Sequence, residues 1–128
     1  FVDIIEEHFD AGVRLGGDVG EGMIAVRITP DIEMVVVATP EHFRRYGFPQ
    51  TPKDLTVHPC ISYQFADGSA YHWEFWQEGK LIKYKPLGQW VFSDSYMEAA
   101  AARIGLGIAY VPEDLVLEDL EQGFRAIL

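Results

Sequence analysis

The amino-acid sequence predicts an α/β fold, and two stretches of the chain carry this prediction. Residues 90–112 read as a strand, a polar cap, an Ala-rich helix, a glycine stop and a second apolar strand that ends at Pro112. A strand–helix–strand unit of this kind requires a parallel sheet covered by helices. Residues 34–39 form a nearly continuous apolar, β-branched run, which is typical of a strand buried on both faces.

The first half of the chain divides at glycines and prolines. Pro40 is predicted to open a helix through Tyr46 that Gly47 ends, because proline favours the first turn of a helix and glycine the position after the last. The other elements predicted here are a helix ending over 1–9, a strand over 11–15, a strand over 23–28, the strand over 34–39 and a capped turn over 51–55.

The second half is predicted to alternate strands with turns and then with helices. Glu78, Gly79 and Lys80 have the composition of a hairpin turn between strands over 71–77 and 81–84. The remaining predictions are strands over 60–65, 89–93 and 107–111, a turn over 66–69, helices over 94–103 and 112–122, and strand-like residues from Phe124 onward.

Composition limits the functions open to the chain. Its 128 residues are 48% hydrophobic, enough for a real core. The formal net charge of −10 and the lack of a basic run argue against a grip on a nucleic-acid backbone. The single cysteine, Cys60, excludes an intrachain disulfide and suits a reducing cytoplasm. No stretch approaches the roughly 18 apolar residues of a membrane span.

Candidate ligand contacts follow from the sheet. Ligands of open α/β sheets bind outside the carboxyl ends of the strands. The residues at such predicted ends are Arg14, Gly16, Thr39, Gln64, Phe65, Ser93, Asp94 and Ser95.

Arg14 and the Ser93–Ser95 stretch have the clearest chemistry among these candidates. The planar guanidinium of Arg14 suits a carboxylate, although an arginine after a strand also serves as a plain surface residue. Ser93, Asp94 and Ser95 are first of all a helix cap. The free backbone N–H groups and the dipole there also attract small anions, provided that the Asp94 side chain is turned into the cap.

No catalytic, metal or cofactor site is predicted. Residues 105–107, Gly-Leu-Gly, follow a helix and precede a strand, so they fit a helix end rather than a phosphate loop. His42, His58 and His72 have no companions at the spacing of a metal site, which needs three or four ligands. Cys60 lies in an apolar strand without a predicted base and reads as a buried structural thiol.

The acidic and aromatic groups have ordinary structural interpretations. The acidic residues of the predicted helices are expected to form solvated faces. Trp73 and Phe75 alternate with Trp76 along a predicted strand, so at least one face of that strand is expected to pack into the core.

Several motifs, in this order, resemble the effector-binding domain of LysR-type transcriptional regulators. They begin with Phe9-Asp-Ala-Gly-Val-Arg-Leu-Gly, Met23-Ile-Ala-Val-Arg-Ile and Val35-Val-Val-Ala-Thr-Pro-Glu-His-Phe. They continue with Gly47-Phe-Pro-Gln-Thr-Pro-Lys-Asp-Leu, Trp73-Glu-Phe, Phe92-Ser-Asp-Ser, Gly105-Leu-Gly-Ile-Ala-Tyr-Val-Pro and Leu120-Glu-Gln-Gly-Phe. The resemblance extends over essentially the whole chain.

The resemblance implies a two-lobe, periplasmic-binding-protein-like (type 2) fold with an effector in the cleft. Mapped onto this sequence, 1–33 is the later part of lobe I, 34–110 is lobe II and 111–128 returns to lobe I, so the first lobe is expected to be incomplete at both ends. The resemblance also implies homodimers or higher oligomers. DNA contact would come only through a helix-turn-helix domain outside this chain. The expected effector is a small organic or aromatic acid.

Three other functions remain open at this stage. A periplasmic solute-binding protein for a small organic acid or amino acid would follow the same fold logic with a signal peptide upstream. An α/β enzyme is disfavoured, because no carboxylate pair, nucleophile–base set or metal cluster falls at a supported spacing. A structural dimer module with an empty cleft would bind no ligand.

Overall fold

The strand predicted from the apolar run at 34–39 is the middle strand of a sheet. It is β1 of the computed structural model, which describes residues 24–27 and 31–126. The chain divides into two compact units, 1–31 and 32–128, and all the helices and strands described below belong to the second.

The elements of this second unit alternate between strands and short helices. The strands are β1 (Met34–Val37), β2 (Ile61–Tyr63), β3 (Trp73–Gln77), β4 (Lys80–Tyr84), β5 (Trp90–Phe92), β6 (Ala109–Pro112) and β7 (Arg125–Ala126). The α-helices are α1 (Pro40–Tyr46), α2 (Ser95–Arg103) and α3 (Leu117–Glu121), and 3₁₀ helices span Pro52–Val57 and Glu113–Val116.

The strands pair around β1 and β2. β1 lies between β6 and β7 and is antiparallel to both. β2 is parallel to β5, and a parallel bridge between Cys60 and Ile108 joins this pair to β6. β5, β2 and β6 therefore run in one direction, and β1 runs in the opposite direction. The parallel arrangement predicted from the strand–helix–strand pattern of 90–112 is confirmed, with β2 inserted between β5 and β6.

β1 separates two hydrophobic clusters, because its alternate side chains point to opposite faces. Val36 packs in a cluster with Phe43, Trp73 and Tyr110. Val35 and Val37 pack in a second cluster, with Ile61 and the alanines of α2. The predicted burial of this strand on both faces is confirmed, because Val35, Val36 and Val37 are all buried.

The β3–β4 hairpin closes the first cluster. Trp73 and Phe75 are buried, whereas the next residue, Trp76, is 72% exposed. One face of β3 therefore packs into the core, as the alternation of side chains along a strand predicts. The turn itself is two residues long, Glu78 and Gly79, both with positive φ. Lys80, predicted to lie in the turn, is the first residue of β4.

Two sequence predictions of secondary structure are wrong where the structure describes them. Residues 24–27, expected within a strand, have no regular secondary structure and are exposed. The helix expected over 112–122 is instead a 3₁₀ turn followed by the short α3. Val116 has a non-helical ψ of 22°, and the Leu115 carbonyl accepts from Arg103 Nη2 at 2.9 Å, which diverts it from helical pairing.

The predictions that fall on residues 1–23, a helix ending and a strand, lie outside the described residues. Among the residues that are described, no helix is long and apolar enough to cross a membrane.

Candidate functional site

The carboxyl ends of β2 and β5 lie side by side and bring most of the predicted ligand contacts together. Tyr63 and Phe92 are register partners in the parallel pair. The Gln64 N–H donates to the Phe92 carbonyl at 2.8 Å, so the segment after β2 runs beside the segment after β5. Gln64 and Phe65 therefore lie at the same sheet edge as Ser93, Asp94 and Ser95.

Asp94 is the cap of α2, as predicted from its position. Its Oδ1 accepts from the Tyr96 N–H at 2.7 Å, and its backbone has the extended conformation of a cap residue. The carboxylate is therefore engaged with the helix end rather than directed away from it. Ser93 is exposed and Ser95 is half-buried, so both hydroxyls flank the amino end of a nine-residue helix.

Three aromatic rings form a cluster at the same edge, which we call the aromatic cluster: Tyr63, Phe65 and Tyr71. The ring centroids of Tyr63 and Phe65 are 5.4 Å apart, those of Phe65 and Tyr71 5.6 Å, and those of Tyr63 and Tyr71 6.0 Å. All three pairs are edge-to-face and all three residues are half-buried.

Glu98 lies beneath the first turn of α2 and is the residue that sequence analysis missed. Its side chain is 1% exposed, and its Oε2 has no hydrogen-bond partner. The pKa of this carboxyl is raised to about 8: burial raises it most, a hydrogen bond with Ser95 lowers it, and the negative charge of Asp94 raises it. None of these three influences is a positive charge.

A signal for Glu98 was present in the sequence. Ala101 and Ala102 lie three and four residues after it, and positions at these spacings share one face of a helix. Because that alanine face is the natural buried face of α2, Glu98 had to be buried with it.

Gln64 turns its side chain toward the segment that follows it. Its Nε2 donates to the Gly68 carbonyl at 2.9 Å. Gln64, Ser62 and Val91 help to line a surface cavity of about 220 Å³. The Ser62 hydroxyl is buried and has no hydrogen-bond partner, so this cavity is a second polar feature near the edge.

Thr39 is not brought to this edge. Val37 pairs with Ala109 at the start of β6, and β1 is antiparallel to β6, so Thr39 lies beyond the end of the sheet opposite to Ser93. There its hydroxyl accepts from the His42 N–H at 3.0 Å and caps α1. Its predicted role as a ligand contact stays a prediction. Arg14 and Gly16 lie outside the described residues.

His42 and His58, for which the sequence predicts no companions at the spacing of a metal site, are in direct contact with each other. His42 Nε2 is 2.8 Å from His58 Nδ1, and both side chains are buried. Their rings are stacked with centroids 5.0 Å apart. Burial and the neighbouring His58 lower the pKa of His42 to about 4, and burial lowers that of His58. The contact joins α1 to the residue after a 3₁₀ helix, so no local spacing predicts it.

The pair does not extend to a metal site in the described part of the chain. Within 24–27 and 31–126, no three His, Cys, Asp or Glu residues are grouped to hold a metal ion. Cys60 is buried, its thiol donates to the His58 carbonyl at 3.4 Å, and burial raises its pKa to about 11. A thiol with a raised pKa is a poor nucleophile, in agreement with the structural role predicted for Cys60.

Comparison with protein families matches residues 1–127 to the model described as the LysR substrate binding domain. Among curated proteins, the HTH-type transcriptional regulator YcaN of Escherichia coli is 38% identical over 122 residues, which are 95% of this chain and 39% of that protein. The HTH-type transcriptional regulator PgrR of the same organism is 38% identical over 115 residues, 89% of this chain and 38% of that protein. The chain thus spans about 40% of the length of these relatives.

Solved structures of a LysR-type transcriptional regulator also resemble this chain. The regulatory domain of CrgA, a LysR-type transcriptional regulator from Neisseria meningitidis, is 27% identical with a TM-score of 0.69. The match covers 94% of this chain and 57% of that domain. The longer CrgA structure matches with a TM-score of 0.72 and 26% identity over 94% of this chain and 40% of that one.

Proposed function

The chain belongs to the LysR substrate-binding domain family, and from this membership we propose that it senses a small-molecule effector for a DNA-binding transcriptional regulator. The family has the two-lobe, periplasmic-binding-protein-like fold predicted from the sequence. The regulator relatives favour this function over that of a periplasmic solute-binding protein.

The observation that carries the proposal is the shared edge of β2 and β5. The hydrogen bond from Gln64 to Phe92 holds two segments together there, and the amino end of α2 adjoins the aromatic cluster. Polar hydrogen-bonding groups beside aromatic rings are the usual composition of a small-molecule site. We propose that Gln64, Phe65, Ser93, Asp94 and Ser95 contact the effector.

Arg14 and Gly16 are further proposed ligand contacts, on the ground of their predicted position at the end of a strand. An organic or aromatic acid suits this set, because Arg14 offers a guanidinium and α2 offers its amino end. Thr39 receives no support from its position, since its hydroxyl caps α1 at the opposite end of the sheet.

The mechanism is a shift between two arrangements of the lobes. The effector stabilises the arrangement that it binds more tightly, and only by the difference between its two affinities. Segments near 28–34 and 111 would act as hinges between lobes 1–33, 34–110 and 111–128. DNA contact would lie in a helix-turn-helix domain, because this chain carries a net charge of −10.

Thermal unfolding with a panel of aromatic acids, dicarboxylates and amino acids tests the proposal. A ligand at 100 times its dissociation constant stabilises the folded state by about 2.7 kcal/mol, which is several degrees for a domain of this size. We expect a selective shift that Ser93→Ala or Arg14→Ala removes. Thr56→Ala, which deletes an exposed hydroxyl on a 3₁₀ helix, is the matched control. A cooperative transition that no compound moves would favour a purely structural module.

Three further properties follow from the same membership. We propose that the domain binds its ligand without transforming it, that the regulator works in the cytoplasm, and that it forms homodimers or higher oligomers. Light scattering of the full-length protein over a range of concentrations tests the last of these. A monomer at every concentration would contradict it.

A further inference from the structure

The surface cavity of about 220 Å³ beside β2 is lined from both strands of the β2–β5 pair. Side chains alternate between the two faces of a strand. Ile61 packs with the alanines of α2, so Ser62, the next residue, points to the other face. Val91 is the register partner of Ser62 in the parallel pair and lines the same cavity. The cavity therefore lies on the face of the strands opposite to α2, and it reaches the sheet edge only at Gln64.

The walls of the cavity are held by close contacts. The connector between β4 and β5 forms one wall, and its Gly88 lies so near the Cys60 carbonyl oxygen that a Cβ would approach within 1.9 Å. The turn after β2 forms another wall, where Gln64 Nε2 donates to the Gly68 carbonyl at 2.9 Å. The cavity is therefore formed without a ligand, as most small-molecule sites are.

The hydroxyl of Ser62 is a polar group of this cavity that lacks a partner. Ser62 is 6% exposed, and its Oγ has no hydrogen bond in the structure. An unsatisfied buried hydroxyl costs free energy that an alanine would avoid. Rotation about χ1 gives a serine hydroxyl three staggered positions, so it can turn to meet a group that enters the cavity.

The lining of the cavity defines the charge and the size of a ligand. None of the residues that line it is Asp, Glu, Lys, Arg or His, so nothing there would compensate for the desolvation of an ion. Pro86, Leu87 and Val91 offer apolar contact. An apolar cavity of about 150 Å³ is large enough for benzene, so about 220 Å³ has room for one ring with a polar substituent.

We propose that this cavity is a second ligand site, for a small uncharged aromatic molecule whose hydroxyl group hydrogen-bonds to Ser62. The site goes beyond the proposed effector contacts, of which Gln64 alone lines the cavity. The inference does not depend on effector binding at the edge of β2 and β5.

Phenol and toluene test this inference in the full-length protein, because they are similar in size and differ by a hydroxyl in place of a methyl group. Equilibrium dialysis measures the affinity of each. We expect Ser62→Ala to weaken phenol binding about threefold to tenfold, the loss of one hydrogen bond, and not to weaken toluene binding. Because the substitution removes an unpartnered hydroxyl, it should not lower the Tm. A lowered Tm would show that the hydroxyl is already satisfied and would contradict the inference.

Filling the cavity gives an independent test. Val91→Trp places a large side chain at a partly exposed lining position and should abolish the binding of both probes. Val57→Trp makes the same change at an exposed valine of a 3₁₀ helix, is the matched control and should leave both affinities unchanged. Ser93→Ala, at the proposed effector edge, should also leave phenol binding unchanged.

The outcomes separate this inference from the proposed function. If phenol does not bind, or if it binds to Ser62→Ala or Val91→Trp as tightly as to the wild-type protein, the inference is wrong. If Ser93→Ala weakens phenol binding and Ser62→Ala does not, phenol binds at the effector edge and the second site is excluded. Each of these results leaves the sensing function standing, because the panel of acids tests that function separately.

Discussion

At the scale of single residues, Glu98 makes the stability of the domain depend on pH. Burial raises its pKa from the ordinary 4.5 to about 8. Between these values the folded state keeps a proton that the unfolded chain releases, so a rise in pH favours unfolding. We predict that Glu98→Gln is more stable than the wild-type protein at pH 8 and that this difference shrinks toward pH 5. Urea denaturation at several pH values measures it. An equal difference at every pH would show that the carboxyl is not buried as described.

For the His42–His58 pair, the dependence of stability on pH has the opposite sign. The pKa of His42 is lowered from 6.5 to about 4, so the unfolded chain takes up protons first as the pH falls. Stability contributed by the neutral ring is present above pH 6.5 and lost toward pH 4. His42→Phe should lower stability by about 1 kcal/mol at pH 7, because His58 loses its partner.

The slope with pH is the diagnostic quantity for this pair. Between pH 6.5 and pH 4, His42→Phe should lose less stability than the wild-type protein does. His72→Phe, at an exposed histidine outside the pair, serves as the control and should follow the wild-type slope. Parallel slopes for His42→Phe and the wild-type protein would contradict a neutral, buried His42.

These two sites mark the limit of prediction from the sequence at this scale. The cap residue Asp94 could be placed, because capping depends on neighbours two or three positions away. The contact between His42 and His58 joins residues 16 positions apart, and local sequence patterns do not predict contacts at that separation. Glu98 was predictable in principle from the alanine face of α2, but the acidic character of the residue suggested exposure.

At the scale of elements, the hairpin turn between β3 and β4 carries a local strain. Glu78 has φ 52° and Gly79 φ 76°, the pattern of a two-residue turn that favours Asn-Gly. A non-glycine residue in this region costs about 1–2 kcal/mol, which asparagine largely avoids. We predict that Glu78→Asn stabilises the domain by about 0.5–1 kcal/mol in urea denaturation. Glu78→Gln removes the same charge and keeps the strain, so an equal gain from it would attribute the effect to charge.

The segment before β5 is positioned by a close backbone approach. A Cβ at Gly88 would lie 1.9 Å from the Cys60 carbonyl oxygen, and a backbone atom has little freedom to move away. Gly88→Ala should therefore destabilise the domain by about 3 kcal/mol or more, as strong overpacking does. At Gly105, φ is +85° but a Cβ would meet nothing within 4 Å, so Gly105→Ala should cost only about 1–2 kcal/mol. Equal losses in denaturation would contradict the approach of Gly88 to Cys60.

Elements with strong local signals were predicted more fully than those that depend on contacts. α1 was predicted with its own bounds, because Pro40 and Gly47 mark both ends. Residues 112–122, which include Leu115, Leu117 and Leu120, were predicted as one helix. It is interrupted where the Leu115 carbonyl bonds to Arg103 of α2, and that contact is tertiary.

At the scale of the whole molecule, the described members of the two hydrophobic clusters lie within the second compact unit. They run from Met34 to Leu120, and β7 closes the free edge of β1 at Val36 and Val37. A fragment of residues 32–128 therefore contains every described member of these clusters. We predict that this fragment unfolds cooperatively and has the near-ultraviolet circular dichroism of packed Trp73 and Tyr110.

Urea denaturation of the fragment beside the full-length protein, followed by near-ultraviolet circular dichroism, measures this. A fragment that unfolds without cooperativity would show that residues 1–31 contribute to the stability of the second unit.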